Sequence, residues 1–283
     1  KNCRNVYVIE SGGWRAEVAP TIGGNIVFLT YCKKDIYAPL KEEKQLEENP
    51  FIYGSPILLP ANRTAKGKFR FEDKEYILPV NEPSTGCHLH GFVHKQTFNV
   101  INCSNSQIKL VYENKGEIYP FPFILEVCYL IRDGKFRQEY TVINTGKSEM
   151  PFTFALHTTF KEPKSFSVPI DLCQEKDGFH IPTGKYVPLD RQEQNYASGS
   201  PSKGLIISGY YRACGHTAYL DDISYMVSDN FDHWILYNGR GESGLLCVEP
   251  QCGKVNGLNI EDGCKILNPN EETELWIELK TMK

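Results

Sequence analysis

The chain has 283 residues, 31 of them basic and 35 acidic, for a net charge of −4. That balance argues against a nucleic-acid binder, which normally carries a basic excess, and a composition 41% hydrophobic and 23% charged excludes wholesale disorder. At this length about three-quarters of the chain's surface is buried on folding, so no disulfide or metal staple is needed.

Ten cysteines, at 3, 32, 87, 103, 128, 173, 214, 247, 252 and 264, contain no C-x-x-C pair. A zinc ribbon or thioredoxin-like motif is therefore unsupported, and the cysteines read as buried thiols in a reducing compartment. No apolar run approaches a membrane span, and Lys1–Glu10 has no signal-peptide core. A soluble, cytoplasmic protein is expected, with neither membrane nor nucleic acid as a partner.

In chain order, the first distinctive stretch is Pro39–Glu48, a good helix former with charges all round. It reads as a short surface helix or flap without chemistry. Arg63 follows an apolar run and precedes Gly67. Its guanidinium suits vicinal hydroxyls or a local carboxylate equally. Cys87–Lys95 holds His88, His90 and His94. On a strand, His88 and His90 share a face, and they read either as metal ligands, with His94 as a third, or as ordinary polar histidines.

Thr97–Cys103 and Gln107–Tyr112 read as strands. The clearest hairpin is Phe123–Ile131, a turn at Arg132–Lys135, and Phe136–Asn144, because Asp133-Gly134 suits two positive φ angles in succession. Met150–Phe160 alternates: Phe152, Phe154 and Leu156 on a core face; Thr153, Ala155, His157 and Thr159 on the other. His157 is either a surface histidine or the polar group of a shallow groove. In Gly244–Pro250, Leu245, Cys247 and Glu249 share a face, which makes Glu249 a half-buried carboxylate with raised pKa, or else an edge glutamate in an ion pair. Pro250 is expected to end that strand. Leu275–Leu279 is a last strand. Asp171, Asp221, Asp222 and Asp229 are loop acids without distinction. Strands from end to end, with no linker, predict a single domain over 1–283, all-β, built as a large antiparallel β-sandwich.

Taken in order, these segments resemble the aldose 1-epimerase (galactose mutarotase-like) family. Asn62-Arg63 with Gly67-Lys68-Phe69 is similar to N-R-x-x-x-G-x-F, continued by Tyr76, Leu78 and Asn81. Leu89-His90-Gly91 matches L-H-G, Leu156–Phe160 resembles the second histidine motif, and Thr183-Gly184-Lys185 with Pro188 resembles the P-T-G turn. Val248-Glu249-Pro250 matches E-P, and Asn259, Gly263 and Leu267–Glu271 resemble the closing segment. Departures are Thr158-Thr159 for Pro-Tyr, Gln251-Cys252 after E-P, Asn270 for Gly, and no acid in Ile206–Tyr210 where a substrate-binding Asp is expected.

The resemblance implies the family's supersandwich fold and interconversion of the anomers of an aldohexose, with a small-molecule sugar as partner and a monomer or homodimer as assembly. It implies Glu249 as the base that takes the anomeric proton and His157 as the acid that protonates the ring oxygen, the two gripping opposite edges of the ring. His90 joins them in the catalytic set, with Arg63 and Asn62 binding substrate. No cofactor and no metal is implied. A hexose 6-phosphate substrate, with Lys66, Lys68, Arg70 or Arg137 as candidate phosphate ligands, and a catalytically silent sugar-binding protein remain alternatives, as does a metal enzyme built on His88, His90 and His94.

Overall fold

The computed structural model describes residues 6–40, 42, 44–239, 241 and 243–282. The Asp-Gly signal does what its stereochemistry requires. Asp133 and Gly134 have φ of 53° and 73°, and they close the longest hairpin, Phe123–Arg132 against Lys135–Asn144, in register from Phe123↔Asn144 to Arg132↔Lys135. Every second residue of the first strand is buried, from Phe123 to Ile131, so period-2 alternation there is one face packed on a core.

That hairpin lies within an eight-stranded back sheet. Its order is Asn99–Cys103, Gln107–Asn114, Phe123–Arg132, Lys135–Asn144, Glu272–Thr281, Ile223–Val227, Thr217–Leu220 and Phe166–Ser167. A second, front sheet runs Pro182–Pro188, Ile170–Lys176, Ser208–Ala213, His233–Tyr237, Leu245–Cys252, Phe154–Leu156 and Ile57–Leu58, with Thr159–Lys161 also paired to Leu245–Cys252. A four-stranded sheet, Tyr7–Ser11 to Lys34–Asp35, precedes both. The pairings within these three sheets are antiparallel. Their apolar faces share one buried cluster that runs from Ile9 to Leu279 and includes Trp14 and Trp234. The fold is an antiparallel β-sandwich.

Several expectations need correction. Helix in the 39–48 region is confined to Lys44–Glu48, with Lys41 and Glu43 outside the described residues. A second helix, Arg191–Ser198, was not foreseen, although Asp190 and Glu193 form a capping box at its start. Three of the nine described thiols, Cys32, Cys103 and Cys214, are exposed rather than buried.

Met150–Phe160 is not one alternating strand. It breaks into Met150–Phe152, Phe154–Leu156 and Thr159–Lys161, and every residue from Met150 to Phe160 is buried. Both faces of this segment are covered, yet the alternation still sorts them: Phe152, Phe154 and Leu156 join the main core, while Ala155 packs on the other face with Leu58 and Ala61. Nor does Pro250 end the Glu249 strand, which runs Leu245–Cys252 and is buried throughout. Pairing with the 150–160 segment is made at Phe154↔Cys252 and Ala155↔Gln251, then resumes at Thr159↔Cys247. Pro250 falls in the gap between, where no ladder donor is required on that side.

Candidate active site

The gap in that ladder is where the chemistry sits. The two paired stretches keep one register, and carrying it through the gap sets His157 opposite Glu249. His157 Nε2 and Glu249 Oε1 are 3.3 Å apart. They stand side by side on neighbouring strands, not on opposite edges of a ring as expected. The row continues across the sheet through Ile235 to Tyr210, so one pleat carries imidazole, carboxyl, aliphatic group and phenol on one face.

A second pair of segments brings the remaining residues. Arg63–Thr64 pairs with His88–Leu89, Arg63 against Leu89. The chain turns sharply on either side of this pairing: Asn62, His90 and Gly91 have φ of 54°, 64° and 62°. His90 N–H donates to the Asn62 carbonyl at 2.8 Å, which locks the two turns together. Left-handed conformations in non-glycine residues are costly and gather at functional positions. The His90 turn also means that His88 and His90 do not share a strand face. His88 Nδ1 instead meets the Pro79 carbonyl at 2.7 Å, and His88, His90 and His94 do not form a group of converging ligand atoms.

These elements enclose a cleft of about 380 Å³ whose lining includes Asn62, Arg63, His90, His157 and Glu249. The structure thus brings together all five residues singled out by resemblance. Asn62 Nδ2 reaches Gln251 Oε1 at 3.4 Å. Buried Asn62 Oδ1, His90 Nδ1 and His157 Nδ1 have no hydrogen-bond partner among the described residues, a state that buried polar atoms rarely keep without a functional reason.

Arg63 pairs with a local carboxylate, one of the two partners its sequence context suggested. Its Nε and Nη2 donate to the two carboxylate oxygens of Glu82, each at 2.7 Å, and Nη1 donates to Tyr210 Oη at 2.7 Å. Burial is the largest influence and opposes the guanidinium charge, but the hydrogen bonds to Glu82 together with the charge interactions with Tyr210, Glu82 and Cys87 outweigh it and raise the pKa. Burial likewise opposes the Glu82 charge and is overcome by Arg63 and Thr85, so that carboxyl is lowered. One N–H on each terminal nitrogen is left for a ligand. Glu82→Gln is expected to cost about 2 kcal/mol of stability, since it leaves a half-buried guanidinium without its counter-charge. Thermal melts of the two proteins measure it; an unchanged midpoint contradicts the pairing.

Electrostatics in the cleft favour neutral forms. Burial pulls His157 down to about 4. His90 is held well below the ordinary imidazole value, by burial first and by its imidazole and Arg63 neighbours second. Burial raises Glu249 well above the carboxylate range, only partly offset by Arg63. Both shifts run the same way, toward a protonated Glu249 carboxyl beside a neutral His157 imidazole.

Several lining residues escaped the sequence. Phe51 stands 4.5 Å from the His90 ring centre, 4.7 Å from His94 and 6.2 Å from His157. It lies three residues beyond the charged helix: Asn49, Phe51 and Ile52 line the cleft, whereas none of the described residues of 39–48 does. Tyr210 lies where an acid was sought, with its phenol pushed up to about 12, chiefly by burial. Glu82 and His180 also line the cleft. The four loop aspartates do not: Asp171 pairs with Arg212, Asp221 caps Lys164 and Ser165, and Asp229 faces His216. Lys66, Lys68, Arg70 and Arg137 are absent from the lining too; Arg137 lies on the back sheet over the Trp276 ring.

Comparisons with known proteins agree with this architecture. A galactose mutarotase-like protein from Clostridium acetobutylicum superposes with a TM-score of 0.90 at 22% identity, covering 97% of this chain and 95% of its own. The GalM/aldose epimerase homologue from C. elegans gives 0.82 at 15% identity over 98% of each chain. At such identities the likeness is one of fold. The uncharacterized protein YihR of Escherichia coli (strain K12) is 25% identical over 152 residues, a match spanning 53% of this chain and 48% of that protein. The chain therefore spans about half the length of the curated relative it matches. A family model described as aldose 1-epimerase matches residues 5–280, a span that takes in both zipped turns and the open ladder; by that match the chain belongs to the aldose 1-epimerase family.

Proposed function

We propose that the protein is a mutarotase, interconverting the α and β anomers of an aldohexose by acid–base ring opening. The observation that carries this is the 3.3 Å contact between His157 Nε2 and Glu249 Oε1 within the cleft. The anomeric hydroxyl and the ring oxygen are bonded to the same carbon. A donor and an acceptor side by side can address both at once, which groups across a ring could not.

In the proposed cycle, the shared proton crosses to His157 as sugar binds. Glu249 takes the proton of the anomeric hydroxyl, and His157 gives its proton to the ring oxygen. The C1–O5 bond breaks, and the pair returns to neutral acid and neutral imidazole beside an open-chain aldehyde. Rotation about C1–C2 presents the other carbonyl face, and the steps reverse. His90, Asn62 and the spare N–H groups of Arg63 hold sugar oxygens and steady developing charge. Nine described cysteines without disulfides suit a cytoplasmic location. Among the described residues, no helix is long and apolar enough to cross a membrane.

A hexose 6-phosphate is the second reading. Lys176 supports it: its Nζ donates to the Ser208 carbonyl at 2.8 Å and stands 4.8 Å from the Tyr210 ring centre, and Ser208 and Tyr210 both line the cleft. An anomer-exchange screen by saturation-transfer NMR, over aldoses and their 6-phosphates, tests both readings. Acceleration for a free aldose supports the first and acceleration confined to phosphates the second. Binding without acceleration of any sugar leaves a silent sugar-binding protein.

The pH profile is a further expected result. Activity requires one proton in the pair, wherever it sits. The rate should fall below about 4, as His157 gains a second proton, and fall again at the raised value of Glu249, as the pair is emptied. Exchange rates measured across pH give the limbs. An acid limb near about 6.5, the value of an exposed imidazole, would contradict the assignment.

A further inference from the structure

We infer that His157, Glu249 and Cys247 form a site for one thiophilic divalent cation of the zinc class, seated on the cleft floor, where it switches the proton pair off. The cation binding stands on geometry alone; its inhibitory effect rests on the proposed acid–base roles of His157 and Glu249.

Cys247 precedes Glu249 by two residues in Leu245–Cys252, so their side chains leave the same face of the strand. Thr159, two residues after His157, pairs with Cys247. Two adjacent strands therefore deliver thiol, carboxyl and imidazole to one spot, and their ligand atoms all lie within 4.8 Å of one another. All three residues are buried, Cys247 completely. Ligand bonds of about 2.0–2.3 Å to a tetrahedral ion set the ligand atoms roughly 3.4 Å apart. The 3.3 Å between His157 Nε2 and Glu249 Oε1 is already that spacing. The sulfur is 3.4 Å from Thr159 Oγ1, a weak contact that a small side-chain rotation gives up.

The donor set decides which ion fits. One nitrogen, one sulfur and one carboxylate oxygen suit zinc and its thiophilic neighbours. Calcium and magnesium, which want six or more oxygens, find a single carboxylate. His157 and Glu249 line the cleft, so water or a sugar hydroxyl entering it would supply the fourth ligand. On binding, the metal–sulfur bond replaces S–H and the metal–oxygen bond takes the place of the proton that the His157–Glu249 pair shares, so two protons pass to solvent for each ion. His157 Nε2 and the Glu249 carboxylate are then both occupied, and ring opening has neither donor nor acceptor.

The test uses the whole chain, freed of metal by a chelator and titrated with cobalt(II) alone as the spectroscopic probe. A thiolate-to-cobalt charge-transfer band that saturates at one ion per chain is expected. Cys247→Ser should abolish that band while anomer exchange stays at the wild-type rate, and zinc inhibition of exchange should need at least about tenfold more zinc. Glu249→Gln should weaken cobalt binding by a similar factor, a readout that does not depend on how well the Cys247 variant folds. Absence of the band, its persistence in Cys247→Ser, or undiminished cobalt affinity in Glu249→Gln overturns the inference. A cobalt band in a protein that accelerates no sugar overturns the proposed reaction and leaves the cation site standing. Exchange without the band does the reverse.

Discussion

Glu249→Gln should lower the rate of anomer exchange by roughly 10³-fold or more, the scale of a lost proton-transfer group, while sugar affinity changes by only a few-fold. The amide fills the space of the carboxyl and can still hydrogen-bond His157, but it cannot carry a proton. The fold should be helped rather than harmed. Glu249 is buried with its pKa raised well above the ordinary value. Such a group favours the folded state at low pH, and its contribution is lost as pH climbs through the raised folded-state value, because the buried carboxyl must ionise or the chain unfold. Glutamine has no such titration. The variant's melting temperature should therefore exceed that of the wild type at alkaline pH and converge with it near pH 4. Exchange measured by saturation-transfer NMR and melting curves at several pH values test this together. Undiminished exchange would remove Glu249 from the reaction, and a pH-independent gap in melting temperature would remove the account of its burial.

Gly91→Ala is expected to be the most damaging single methyl group near the cleft. A Cβ at residue 91 would sit 2.2 Å from the Leu59 carbonyl oxygen, and the residue has a φ of +62°. Backbone cannot give way as a flexible side chain can, so the turn must open, at a cost of about 3 kcal/mol or more. His90 precedes it with its own left-handed φ of 64°, and it moves with the turn. Stability and exchange should fall together. Gly134→Ala is the matched control: its φ is +73°, yet nothing lies within 4 Å of the added methyl. It should lose only about 1 kcal/mol, the cost of the left-handed conformation alone, and leave exchange intact. Equal losses at both positions would show that crowding against Leu59 does not matter.

Where a signal was local, the sequence was sufficient. Asp133-Gly134 named its turn because the dipeptide's stereochemistry is settled within the turn itself. Phe123 to Ile131 showed its inner face because its other face meets solvent or polar groups. At Met150–Phe160 the same alternation sorted Phe152, Phe154 and Leu156 into the core and His157 into the cleft, but it did not show that the pairing is interrupted and the second face covered, a tertiary fact that no window of eleven residues contains. Pro250 misled in the complementary way: a proline ends a ladder only where a donor is needed, and here its neighbour strand has already let go. His157 and Glu249 were found through ordered motifs, but their contact follows from a register shared by strands some ninety residues apart. Glu82, Tyr210 and Phe51 carry no motif at all. They matter because three-dimensional packing aims them at Arg63 and the imidazoles.

The cross-strand placement of His157 and Glu249 makes the cleft sensitive to reading frame in a way that its side-chain chemistry is not. Loss of one residue between Leu245 and Glu249 would invert the strand's alternation from that point on, turning the carboxyl toward the sandwich interior and bringing a hydrophobic neighbour to the cleft. Loss of two would restore the facing. Parity, more than the identity of the intervening side chains, is what this strand has to keep.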